Sequence, residues 1–140
     1  MKARSFRVGM LVLVAILLLA VPASAGKPAP SLDVVWADVP TGSTWSPSYT
    51  ITWTDFKPVD IYYDVTYYDQ AGVQHMYPSP AGGIEPVDPR LRLESIVIDP
   101  PGVFDVASGT CKVTEHVRIY DRRGRLRSAT REFNACLTLQ

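Results

Sequence analysis

The chain has 140 residues, 46% of them hydrophobic, with 14 basic side chains against 14 acidic ones and only two cysteines. That length makes one domain of ordinary size with a modest core. Balanced charge argues against an electrostatic nucleic-acid binder, and cysteines 25 positions apart exclude a Cys-x-x-Cys redox motif.

Residues 1–25 read as a secretory signal peptide. Lys2, Arg4 and Arg7 form a basic start, residues 8–21 are an uninterrupted apolar run, and Ala23-Ser24-Ala25 is a small-residue cleavage site ahead of Gly26. A membrane-spanning helix needs roughly 20 apolar residues; this run is shorter, and Pro22 ends it. The expected product is therefore cleaved and exported, periplasmic or secreted, with no stable membrane span. No cysteine follows the cleavage site to carry a lipid, and no adjacent arginine pair marks a twin-arginine signal. Cleavage removes three cations and leaves 11 basic against 14 acidic side chains. The remainder is uneven: residues 26–110 carry a net −7 and residues 111–140 a net +4.

Residues 26–31, GKPAPS, read as a flexible lead-in, and 32–140 as a single domain. A first strand is expected over Ser31 to Val39, with Leu32, Val34 and Trp36 on one side; Pro40 and Gly42 break it. Ser48 to Phe56 is a clear strand, in which Tyr49, Ile51 and Trp53 alternate with Thr50, Thr52 and Thr54. Asp60 to Gln70 follows, placing Ile61, Tyr63, Val65 and Tyr67 on one face and Tyr62, Asp64, Thr66 and Tyr68 on the other. Ala71-Gly72 turns the chain into a short return strand over Val73 to Tyr77. Pro78 to Pro89 reads as an irregular loop. Arg90 to Ile98 reads as a strand carrying Leu91, Leu93, Ile96 and Ile98, with a slip of period near Ser95 that fits a bulge. Pro100-Pro101-Gly102 ends it, and Phe104 to Ser108 is a short edge strand or a loop.

The last stretch, Cys111 to Cys136, reads as a long hairpin. Val113, Val117 and Ile119 alternate with polar residues, and Asp121-Arg122-Arg123-Gly124 suits a type I turn closed by glycine in the left-handed position. That turn pairs Glu115 with Arg131 and Val113 with Phe133. A tighter turn at Arg123-Gly124 instead sets Cys111 opposite Cys136 but also Glu115 against Glu132. A bulge near Asn134 reconciles the two. A Cys111–Cys136 disulfide is expected, and the loop it closes stabilises by about 3 kcal/mol in the chain-entropy model.

No stretch after the signal holds a helical period, and eleven prolines lie between Gly26 and Pro101. Short strands separated by turns predict an all-β, antiparallel β-sandwich of about seven strands. Trp53 within ITW, the strand and turn YYDVTYYDQAG, and VRIYDRRGRL as a penultimate strand, glycine turn and last strand resemble fibronectin type III and related immunoglobulin-like domains. The resemblance covers most of residues 48–133. It implies an immunoglobulin-like sandwich acting as a binding module or spacer. Val113 stands where the family usually has a tyrosine, and Cys111–Cys136 is not a family disulfide.

No nucleophile elbow, zinc-protease helix or phosphate-binding glycine loop is present. His75 and His116 stand at no metal-ligand spacing, and the scattered aspartates match no calcium loop. No catalytic residue, metal or cofactor is expected. The chain reads as a non-enzymatic exported module whose partner is a protein or, in the alternative, a polysaccharide. Candidate contacts are Tyr62 and Tyr68 beside Asp64, Trp45 in a Ser/Pro loop, and the basic hairpin tip of Arg122, Arg123 and Arg125.

Overall fold

The structure is a computed structural model that describes residues 29–140. The signal-peptide reading and the first residues of the lead-in fall outside them. The described chain is all-β apart from a single 3-10 turn, Pro89–Leu91. Its strands are β1 (Ser31–Trp36), β2 (Thr44–Trp45), β3 (Tyr49–Thr54), β4 (Pro58–Tyr68), β5 (Gln74–Tyr77), β6 (Gly83–Pro86), β7 (Ser95–Ile98), β8 (Phe104–Asp121) and β9 (Leu126–Leu139).

They form two antiparallel sheets. One has the order β1-β3-β7. In the other, β8 is central: β9 lines one edge along most of its length, while β2 and then β4 line the other. The far edge of β4 is shared by β6 and β5. The alternating apolar residues of both sheets meet between them. Tyr49, Ile51, Trp53 and Ile98 of the small sheet pack with Ile61, Val117 and Ile119 of the large one, closed at one end by Phe56 and Val87. A second cluster centres on Phe104, whose ring lies 5.6, 5.1 and 5.3 Å from those of Trp45, Tyr67 and Tyr77.

One charged pair is built into the interior. Glu115 of β8 is fully buried and faces Arg131 of β9, whose Nε donates to Oε2 at 2.7 Å. Arg131 also donates from Nη1 to the Ala37 carbonyl at 2.5 Å and lies over the rings of Trp36 and Phe133. One side chain thereby ties the last strand to the segment that follows β1. Oε1 of Glu115 and the Tyr49 hydroxyl have no hydrogen-bond partner among the described residues. Burial first, and then the field of Glu115, push the Tyr49 hydroxyl pKa well up.

The hairpin takes the register of the type I turn: Val117 pairs with Ala129, Glu115 with Arg131 and Val113 with Phe133. Asp121 organises the tip. Its Oδ1 accepts from the backbone amides of Arg123 and Arg125, its Oδ2 accepts from Arg125 Nε at 2.6 Å, and Gly124 takes φ +75°. The disulfide is nonetheless made, with the Cys111 and Cys136 Cα atoms 4.9 Å apart. The two are reconciled by a register shift between Ala107 and Lys112, on β8, directly across from the Asn134 region. Gly109 lies in this bulge, where an added Cβ would come 2.7 Å from Cys136 Sγ.

Three expectations are corrected. The strand expected over Arg90 to Ile98 exists only as Ser95–Ile98. Upstream, Asp88 caps the 3-10 turn, Arg92 takes φ 49°, and Leu91 and Leu93 stand exposed. The apolar alternation there never enters the core, because the chain is still crossing between sheets. The irregular loop from Pro78 contains β6, which covers half of the edge of β4. Trp45 is no loop contact: β2 pairs with the start of β8 and buries the indole to 5% exposure between Phe104 and Phe133, with Nε1 donating to the Asp38 carbonyl.

Candidate binding face

Directly paired residues of antiparallel strands share a face, so the register of the large sheet fixes which side chains stand together on its outer side. Ile84, Tyr62, Arg118 and Ser128 form one row across β6, β4, β8 and β9. Pro86, Asp60, Tyr120 and Leu126 form the row beside it. On the other side come Asp64, His116 and Thr130, then Met76, Thr66, Thr114 and Glu132, then Gln74 and Tyr68. Tyr62 and Tyr120 meet edge to face, 5.2 Å between centroids, and both are half-exposed. Ile84 and Leu126 are exposed in the same two rows, and Met76 is exposed two rows farther along.

Asp64 is the exception on this face. Sequence alternation places it with the exposed residues as a solvated carboxylate; it is in fact 3% exposed. His116 Nδ1 lies 2.8 Å from Oδ1 and Arg118 Nη2 donates to Oδ2 at 3.1 Å. The half-exposed His116 and Arg118 lean over the carboxylate and cover it. A carboxylate only accepts when ionised, in which case His116 Nδ1 is the donor of this contact. Asp64 therefore does not meet a ligand; it orients the histidine and arginine that can.

The other sequence candidates separate. Tyr62 and Tyr68 lie on this face, and Trp45 is in the core. Arg122 and Arg123 stand exposed at the hairpin tip with no ion pair among the described residues, whereas Arg125 is held by Asp121. His75 stands on β5, where its Nε2 lies 2.9 Å from Asp69 Oδ2 and its ring stacks on that of Tyr67, its partner on β4. Tyr120, His116 and Arg118 are the residues that sequence reasoning did not select for the face. The signal was present: they occupy the polar positions of β8, and the hairpin register aligns them with the outer residues of β9. Their pairing to β4, more than fifty positions away, had no local mark.

Among the described residues, no group of three or more His, Cys, Asp or Glu is placed to hold a metal ion. No helix among them is long and apolar enough to cross a membrane. No family model, no curated protein and no solved structure matches the chain.

Proposed function

We propose that this is an exported, non-enzymatic immunoglobulin-like module that binds a protein through the outer face of its six-stranded sheet. The observation that carries the reading is the face itself: Tyr62 against Tyr120, flanked by Ile84 and Leu126, with His116 and Arg118 fixed by Asp64 and Met76 exposed farther along the same face. Tyrosine, methionine and arginine are the residues enriched at protein interfaces, and rigid aromatic anchors supply contact area at little entropic cost. The immunoglobulin-like assignment is supported by strand order. Taken in chain order as A, B, C, E, F and G, the strands β1, β3, β4, β7, β8 and β9 divide into A-B-E and C-F-G, in keeping with that family's sheets. The disulfide-bonded cysteines are compatible with an oxidising compartment.

The test is crosslinking and capture from native cells with the tagged protein, comparing wild type with Tyr62→Ala/Tyr120→Ala. Both rings are half-exposed, so the double variant keeps its fold by circular dichroism. The reading expects a reproducibly captured protein to fall away roughly tenfold, as for loss of about 1.4 kcal/mol or more of hot-spot energy. Equal capture by both proteins overturns this face. Retention on a glycan instead, lost in the same double variant, moves the function to sugar stacking on these rings.

A further inference from the structure

Cross-strand register sorts the loops of this molecule to two ends with opposite charge. Ser31 pairs with Thr54, Pro58 with Asp121, Asp60 with Pro86, and the Trp53 amide bonds to the Glu94 carbonyl. The β3–β4 turn, the β6–β7 crossing and the tip of the β8–β9 hairpin therefore share one end, with the start of β1. That end carries Lys57, Arg90, Arg92, Arg122, Arg123 and Arg127, none in an ion pair among the described residues. Asp55, Asp60, Glu85, Asp88 and Glu94 are there too, Glu85 in the same cross-strand row as Arg127, so the excess of cation is concentrated at the hairpin tip, where the one acid, Asp121, is already held by Arg125. The opposite end holds Asp38, Asp69, Asp99 and Asp105, and its loops and strand ends, residues 37–48, 69–75 and 99–108, contain no lysine or arginine. Between the ends, Lys112 pairs with Glu132, Arg131 with Glu115, and Arg118 with Asp64.

Apolar side chains stand among the arginines of the basic end. Leu91 is 63% exposed and Leu93 41%, and Leu126 beside the hairpin tip is likewise open. Arginine interleaved with exposed leucine suits a lipid headgroup layer, in which the guanidinium meets phosphate and the leucine enters the acyl boundary.

We propose that the basic end docks on the surface of an anionic phospholipid membrane, hairpin tip and β6–β7 loop first, which leaves the tyrosine face of the large sheet open at the side. The acidic far end orients the molecule by repulsion, although the chain outside the signal segment is net acidic.

The experiment uses the exported protein as the cell leaves it and vesicles of phosphatidylcholine with or without phosphatidylglycerol. Leu91→Trp serves as reporter. Its emission is expected to shift to the blue, and to be quenched by brominated acyl chains, only with phosphatidylglycerol present. Adding Arg122→Glu/Arg123→Glu weakens this response roughly tenfold or more, since each basic residue near such a surface is worth about fivefold in binding. High salt has the same effect. Because the tip residues are exposed, the charge reversal keeps the fold; Arg90→Glu/Arg92→Glu repeats the test on the other loop. Val97→Trp, on the outer side of β7, is the control and stays unshifted. Response to neutral vesicles equally, or indifference to both charge reversals, overturns the proposal. Absence of any vesicle response, with self-association that the reversals abolish, overturns it too and assigns the basic end to the acidic end of a second copy.

Discussion

Asp64 and Glu115, on adjacent strands and opposite faces of the same sheet, show how two buried carboxylates come to different surroundings. Asp64 has both oxygens engaged by partners that reach water, so its charge is shared with solvent through His116 and Arg118. Replacing it with asparagine removes the ionic acceptor for two half-exposed donors. The expected loss is about 2 kcal/mol, in the range for hydrogen bonds to charged groups, read by urea denaturation. A change within about 0.5 kcal/mol, the noise level of ordinary surface substitutions, shows that the pair is held in place by packing alone.

Glu115 has no such outlet. Burial raises its pKa above the ordinary 4.5, against the lowering effect of Arg131. The folded chain thus binds this proton at pH values where the unfolded chain has released it. Stability from protonated Glu115 is complete below the ordinary value and is lost as pH rises through the raised one. Asp69 and Asp121 act in the opposite sense. The His75 contact first, then the Val73 amide, holds Asp69 below the usual range. At Asp121 burial opposes ionisation, but the Arg125 and Arg123 amides and the Arg125 guanidinium outweigh it. Their contribution is present above the unfolded carboxyl pKa and lost as pH falls through their lowered values. Glu115→Gln is therefore expected to flatten the decline in stability above pH about 4.5 while lowering stability throughout, because Arg131 loses its counter-charge. A wild-type curve with no decline there, matched by the variant, refutes the Glu115 assignment.

At the scale of elements, the hairpin carries the lesson of what the sequence shows. Its turn chemistry, its apolar alternation and its cysteines were all legible, and all three are realised together. What was not legible was the location of the compromise, the bulge at residues 108–111, because glycine and serine there mark looseness without saying which strand yields. Trp45 failed differently: flanking Ser and Pro are loop markers, and only pairing with Phe104, far along the chain, makes a two-residue strand and a buried indole. Leu91 and Leu93 had strand-like spacing but no partner strand within reach. The face of Tyr62 and Tyr68 was legible as a period of two, and the buried state of Asp64 was not, since it depends on His116 and Arg118 across the sheet. The disulfide yields a prediction at this scale. Cys111→Ala/Cys136→Ala is expected to lose about 3 kcal/mol by the loop-closure argument while retaining the sheet's circular dichroism, because the rest of the hairpin register is independent of the bond. A loss below about 1 kcal/mol indicates that the unfolded chain is already constrained near the bulge.

For the whole molecule, the long-range pairs dominate. The large sheet joins β4 to β8 at separations such as Tyr63 to Val117, and each of its two faces is used: one for the core, one as the candidate contact surface. Loops that carry acids and no lysine or arginine gather at one end and the arginines of the hairpin tip stand at the other, so orientation in a field and partner choice are properties of the assembled domain rather than of any one segment. The small sheet, by contrast, is complete once β7 has been made. The central position of β8 has a consequence for biosynthesis. As the polypeptide leaves the ribosome, β4 emerges some fifty residues before the strand that pairs with most of its length. Until β8 appears, β4 has only the short β5 and β6 to hold it, and β8 in turn meets β9 last. The larger half of the domain therefore cannot close before synthesis is nearly finished, and the late strands stay unpaired until then.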